Sequence, residues 1–468
     1  MARLRNVYVF NRKEIKMPGY ADYKKLYIEE FKTLYEEGYD PNKYIVNDEK
    51  SESFMPDPKT ADSYPKGDDF WKKPYETLVK VMDTDIREDY KYVEPNDFDE
   101  IMAQTDKAPI LLPLDKKEYK KRIYGAFFGR CAGVVLGKPF EMGMSYKEIR
   151  EYLESVGQYP ITEYGYAYSE KLDKKLREDC LPSTKGNVKF VQPDDDVNYT
   201  LVGLLLLESK GLDFEKIDVG LNWLDNFSYH WCWCASRVAY YHLVKGEIPV
   251  DRFPYVINPW RECIDGQIRT DIWGYVFPAD LKNACKYSHR DTSFSLTKNG
   301  IYGGMFVAGA LSAALSKNPT VDKIIDAGLA SIPNKSRLYE AISNVRKWYR
   351  EEPDWEKTCE KIYESYGHIP CEGTINNMSV VALGIIAGGL DYSKSICIAN
   401  MCGLDTDCNA GTVGSIVGAA VGIDGIDKQW IEPLNDTIKS TIASVGQTSI
   451  SDICERIIAM KERLESKK

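Results

Sequence analysis

An all-α fold is what this 468-residue sequence predicts. From Lys116 onward apolar residues return with a helical period over Tyr119 to Gly137, Val197 to Glu208, Tyr302 to Leu315, Ser336 to Arg350, Asn377 to Ala387, Ser393 to Met401 and Asn409 to Val421. Alternating strand patterns are scarce, and the β-branched clusters fall inside those helical repeats. Small residues recur at helical spacing, at Gly125, Gly129 and Gly133 and again at Gly411, Ser415 and Gly418, giving faces on which two helix backbones can approach closely. These observations favour orthogonally packed or bundled helices over an α/β layer.

In chain order, residues 1 to about 115 come first, rich in Lys, Glu, Asp and Tyr. Short amphipathic pieces, Tyr23 to Tyr35 and Tyr75 to Met82, are separated by polar stretches with prolines, and Asn47 to Gly67 reads as a loop. The segment 1–115 carries no chemical constellation and is expected to be a mainly helical extension packed on a main domain of residues 116–468. A role as lid or dimer contact stays open, as does the oligomeric state.

Composition removes several classes of function. Hydrophobic residues at 43% and charged residues at 28% describe a folded globular chain. A formal charge of −10 without a run of Lys and Arg argues against extended nucleic acid as a partner. No stretch reaches the roughly 20 apolar residues of a membrane span. The N-terminus lacks the apolar core of a secretory signal, and the 12 cysteines include no CxxC pair and meet only 4 histidines. The expectation is a cytoplasmic protein with free, mostly buried thiols and no zinc finger.

Two acidic clusters open helices. In Val191-Gln-Pro-Asp-Asp-Asp-Val-Asn-Tyr, Pro193 disfavours helix before Asp194, Asp195 and Asp196, and an apolar helix follows. One carboxylate suffices to cap a helix; three adjacent ones repel unless cations compensate. In Cys402-Gly-Leu-Asp-Thr-Asp-Cys-Asn-Ala, Asp405 and Asp407 stand where a glycine-containing loop enters a second apolar helix. Hard oxygen donors of this kind suit Mg2+ or Mn2+ better than zinc. The bland alternative for either cluster is an ordinary cap beside a surface aspartate; the occurrence of both favours metal.

The succession of Gly-rich helix, Asp-Asp-Asp helix start, Asn299-Gly-Ile-Tyr-Gly-Gly helix and Gly403-Leu-Asp-Thr-Asp-Cys-Asn-Ala helix resembles the ADP-ribosylglycohydrolase family, also called J1-crystallin-like, over about residues 119 to 425. The resemblance implies an all-α domain whose centre holds two divalent cations, Mg2+ or Mn2+. Asp195 and Asp196 match one pair of its carboxylates, and Asp405 and Asp407 the other. Asp194 stands where the family usually has Thr, and Cys408 where it usually has a second ligating Thr; Val134 replaces a frequent Asp. Asp194 and Cys408 are therefore expected among the metal ligands, with Cys408 the softer donor. Glu141 ends the loop Gly137-Lys-Pro-Phe-Glu, where relatives place an acidic residue beside substrate and metal; a surface glutamate is the alternative.

The family's histidine would fall near Leu296, so His289 is a substitute candidate for substrate contact, with a helix-end or core histidine as the plain reading. Asn377 either caps its helix with Asn376 or faces the pocket. The aromatics of Tyr229 to Cys234 and Asn258 to Tyr275 offer rings for a nucleobase, and Arg261 or Arg269 a phosphate partner, although core packing explains most of them. The function implied is metal-dependent hydrolysis of a glycosidic bond at ribose, in an ADP-ribosylated or otherwise ribosylated small molecule or protein. Asp195 or Asp405 is the expected proton acceptor. A non-catalytic ADP-ribose or nucleotide binder is one rival, and a helical enzyme using Mg2+-diphosphate a poorer one, since Asp195-Asp-Val-Asn198 fits its Asp-rich pattern badly.

Overall fold

The computed structural model describes residues 21–64, 67–141 and 144–466. It is 62% helical, and its strands are two antiparallel ribbons, Tyr168–Ser169 with Lys174–Lys175 and Ile438–Lys439 with Gln447–Thr448. The fold is all-α. Each long repeat read from Lys116 onward is a helix: Lys116–Gly137, Asp195–Lys210, Lys298–Ala314, Arg337–Glu351, Thr374–Gly388, Tyr392–Met401 and Thr406–Val421. Local chemistry sets several starts. Asp115, Asp194, Ser336 and Asp391 each turn a side-chain oxygen back onto a backbone N–H of the first turn, satisfying a donor that the helix itself leaves open.

The chain divides into two compact units along a different line from the composition change near residue 115. Of the described residues, those within Met1–Tyr92 and Trp233–Arg261 form the smaller unit, and those within Val93–Cys232 and Glu262–Lys468 the larger. In the smaller unit the helices Tyr23–Glu36 and Asp68–Val79 bring Tyr27 and Trp71 together at 5.4 Å between rings. The Arg261 guanidinium there is buried against Glu30 at 2.8 Å and Glu37 at 2.8 Å. It also donates to the Asn258 carbonyl, so it is committed to the core rather than to a phosphate.

Within the larger unit residues 93–113 run along other parts of that unit, with one short helix at Phe98–Met102. Val93 N–H donates to the Lys335 carbonyl at 3.0 Å, and Lys317 N–H to that of Leu112 at 2.8 Å. Glu94 is buried between Arg337 at 2.8 Å and Asn299 at 2.9 Å. The chain therefore enters this unit some twenty residues earlier than its change in composition suggests, because one carboxylate and a few backbone bonds decide the matter.

The helices Lys116–Gly137 and Thr406–Val421 form its centre. A Cβ built on Gly125 would overlap the Gly418 carbonyl, one on Gly129 that of Gly414, one on Gly133 that of Ala410, and one on Gly137 that of Thr406. The partner falls by four each time the glycine rises by four, so the helices run antiparallel with backbones in contact along one stripe. Thr406 Oγ1 closes the end of that stripe by donating to the Gly137 carbonyl at 2.8 Å. Fixing Gly137 against Thr406 has a direct consequence for chemistry: the loop that leaves the first helix and the acidic turn that starts the second emerge side by side.

Candidate metal centre and active site

Lys138 and Glu141 lie on the tight turn that leaves Gly137, and Asp405 and Asp407 start the facing helix. The Asp194 to Asp196 segment joins them through Arg130. That guanidinium, buried within the glycine-rich helix, donates to the Asp196 backbone carbonyl at 2.9 Å, to its carboxylate at 3.0 Å and to Thr412 at 3.1 Å. It also stands 3.6 Å from the Asp271 carboxylate, so one cation ties three helices behind the site. Arg130 and Lys138 were not singled out from the sequence. A signal for Arg130 existed, since a charge whose neighbours one helical turn away are Ala126, Phe127, Gly133 and Val134 must be buried and therefore paired.

Ligand-type atoms gather in three overlapping groups, each within 4.8 Å throughout: Asp194 with Asp195 and Asp196; Asp196 with Asp407 and Cys408; and Asp405 with Asp407 and Glu141. Shared members link all seven residues into one site. Asp194 caps its helix by accepting the Asp196 N–H at 3.0 Å and contacts the Lys138 ammonium. The Cys408 thiol donates to Asp196 Oδ2 at 3.0 Å, and its pKa is pushed up by burial and the surrounding aspartates, so it behaves as a protonated donor. Glu141 is half-buried, with Arg177 at 3.6 Å.

Asp405 is reached by a turn in which Gly403 and Leu404 both have positive φ, 74° and 62°. Leucine rarely adopts this conformation, at a cost of about 1–2 kcal/mol. Asn377 holds the turn. Its Oδ1 accepts the Asp405 N–H at 3.2 Å and Asn409 Nδ2 at 2.8 Å, while its Nδ2 donates to the carbonyls of Cys371 and Gly373, both at 2.7 Å. With donors and acceptor engaged, Asn377 acts as a support for Asp405 rather than as a group facing substrate.

Asp405 is 7% exposed, and its Oδ1 has no hydrogen-bond partner. A buried anionic oxygen without a donor is costly unless a cation meets it. The pKa directions agree. Burial first, and then the neighbouring carboxylates, push Asp195, Asp196 and Asp405 well above the usual range; Asp407 and Glu141 move the same way. The site is short of positive charge, and its donors are hard oxygens with one thiol, a set suited to Mg2+ or Mn2+.

The remaining candidates lie outside these groups. His289 Nε2 donates to the Asn96 carbonyl at 2.8 Å, and the ring packs on Phe98 at 5.4 Å. Burial lowers its pKa, as for a neutral core imidazole. Arg269 is buried against Asp291 at 3.2 Å and over the Trp223 ring at 5.1 Å, which removes it as a phosphate partner.

The family model described as ADP-ribosylglycohydrolase matches residues 115–466. Among solved structures, one titled "ADP-ribosylglycohydrolase-related protein complex" is similar at 16% identity and a TM-score of 0.46, covering 74% of this chain and 99% of that one. No curated protein matches the sequence. With most of its length matched by that model, this chain belongs to the ADP-ribosylglycohydrolase family.

Proposed function

We propose that this chain is a metal-dependent hydrolase that cleaves an N- or O-glycosidic bond at ribose, in an ADP-ribosylated or related ribosylated small molecule or protein. Family membership supports the reaction class. The observation that carries the metal dependence is Asp405 Oδ1, buried without a donor in a cluster with Glu141 and Asp407. These three residues would hold a divalent cation, with Asp194, Asp195, Asp196 and Cys408 on the other side of the site. Such an ion, Mg2+ or Mn2+, supplies charge that makes water a better nucleophile and orients ribose hydroxyls.

The protein's own groups have distinct tasks. Hydrolysis breaks the bond between the anomeric carbon and its leaving group, passes through an oxocarbenium-like transition state, and forms a bond to water oxygen. The proton that water loses goes to a carboxylate of the cluster, Asp405 or Asp195, and the departing nitrogen or oxygen takes up a proton as its bond breaks. Glu141, half-exposed at the end of its loop, accepts hydrogen bonds from ribose hydroxyls. The cluster's negative charge stabilises the developing ribosyl cation. Arg130 and Asn377 hold Asp196 and Asp405 in place. His289 has no part in this scheme. A cytoplasmic setting belongs to the same proposal.

The test is a panel of ribosylated compounds, carrying modified Arg, Ser, nucleobase or small-molecule leaving groups, assayed for released ribose or ADP-ribose with and without Mg2+ and Mn2+. Release that requires the ion, and that falls at least about a hundredfold in Asp405→Asn with the fold intact, is the expected outcome. ADP-ribose binding with no product from any compound would instead favour the binding protein.

A further inference from the structure

The two sides of the acidic site differ in what already faces them. Asp194 meets the Lys138 ammonium and the Asp196 N–H. Asp196 meets the Arg130 guanidinium and the Cys408 thiol. Across the site Asp405 Oδ1 meets nothing, with Glu141 and Asp407 beside it. Cationic side chains thus contact the Asp194 helix start directly, whereas at the Asp405 helix start Asp407 accepts the Cys408 N–H at 3.1 Å, Glu141 stands 3.6 Å from Arg177, and Asp405 Oδ1 is left without a donor.

Lys138 is not a surface lysine that happens to swing inward. Its side chain is 14% exposed, and it follows Gly137, whose backbone is pressed onto Thr406. The contact that brings the two loops together also delivers the ammonium. An ammonium of fixed charge on a short tether satisfies part of an acidic site permanently, and it repels a dication that would share the same carboxylate.

We propose that Lys138 takes the place of one cation of the pair that the resemblance implies, so that this chain binds a single divalent ion, at Glu141, Asp405 and Asp407. The inference rests on the metal-dependent reading and deepens it: the Asp194 side is neutralised from within, and the exchangeable ion sits only where Asp405 Oδ1 is unpartnered. The aspartate at 194 and the lysine at 138 then act as a matched pair. The negative charge added at one position is met by the positive charge at the other.

Stoichiometry tests this independently of turnover. Full-length protein stripped with chelator and dialysed against Mn2+ is expected to retain one Mn2+ per chain by elemental analysis, with the paramagnetic resonance spectrum of an isolated ion. Lys138→Met is expected to admit a second ion and show the broadened spectrum of a coupled pair; Lys138→Arg should remain at one. Asp405→Asn should lose the ion. Two coupled ions in the unaltered protein overturn the inference while leaving metal dependence standing, and a single ion in folded Lys138→Met overturns the role given to Lys138. Absence of any bound Mn2+ overturns the metal-dependent reading as well. If Lys138→Met fails to fold, the unaltered protein's stoichiometry still decides.

Discussion

At Asp195, Asp196, Asp405, Asp407 and Glu141 burial and mutual repulsion act in the same direction, so each carboxyl keeps its proton to higher pH in the folded chain than in the unfolded one. The folded state then binds more protons across the interval between the two sets of pKa values. Its stability contribution is complete below the unfolded values, near pH 4, and is lost as pH rises through the folded ones. A divalent ion competes with those protons and removes the penalty. The gap in Tm between ion-loaded and chelator-treated protein should therefore widen from about pH 5 to pH 7.5. Differential scanning calorimetry at fixed ionic strength measures it, and a gap that is constant or shrinks with pH contradicts the account. The acidic residues could be read from the sequence because excess like charge at a helix start is locally conspicuous. Lys138 and the engagement of Asn377 could not, since both depend on partners supplied by distant segments, Asp194 for one and Asp405 with Asn409 for the other.

Helix against helix, the glycine stripe sets where those segments meet. Replacing Gly133 by Ala gains up to about 1 kcal/mol of helix propensity. The new Cβ, however, points at the Ala410 carbonyl, which belongs to a backbone and cannot rotate aside. Overpacking of this kind typically costs about 1–3 kcal/mol and is larger for a branched side chain. Gly133→Val is thus expected to lower stability by about 3 kcal/mol or more in urea titration and to weaken Mn2+ binding in the fraction that folds, because the register placing Gly137 against Thr406 shifts. Gly67→Ala is the control. An added Cβ there meets nothing within 4 Å, and a change within about 0.5 kcal/mol is expected. Equal losses at both positions would show that the stripe does not set the register. The small-residue repeat was legible as close packing, but its partner and direction were not, because several helices of this chain carry small residues. The helices Leu281–Thr292 and Trp355–Tyr366 escaped the sequence reading. Their polar residues outnumber the apolar ones, which blurs the helical period.

For the molecule as a whole, the division into units changes what a truncation removes. Starting the chain at residue 93 deprives Trp233–Arg261 of the rest of its unit and leaves Arg261 without Glu30 and Glu37. Stranding a buried charge costs about 3–5 kcal/mol, enough to unravel a segment of this size. Starting at 116 also deprives Arg337 of Glu94. The expected order of Tm is full length, then the chain from 93, then the chain from 116, with limited proteolysis cutting between residues 233 and 261 in both truncations. Equal Tm for the two truncations would remove Glu94 from this account. Composition changes near residue 115 and hides this, because the pairing of residues 1–92 with a stretch far downstream leaves no periodic trace in either. The same discontinuity bears on how the protein is made. Arg261 is synthesised roughly 170 residues after Tyr92, which at about 5–20 residues per second is on the order of ten to thirty seconds. Throughout that interval Glu30 and Glu37 stay hydrated and the first unit stays unfinished on the ribosome, while the glycine-rich helix and the Asp194 segment are already emerging. Translation speed across residues 93–261 becomes a determinant of yield, and a slow stretch of codons there lengthens the time for which a nascent chain must be shielded by chaperones.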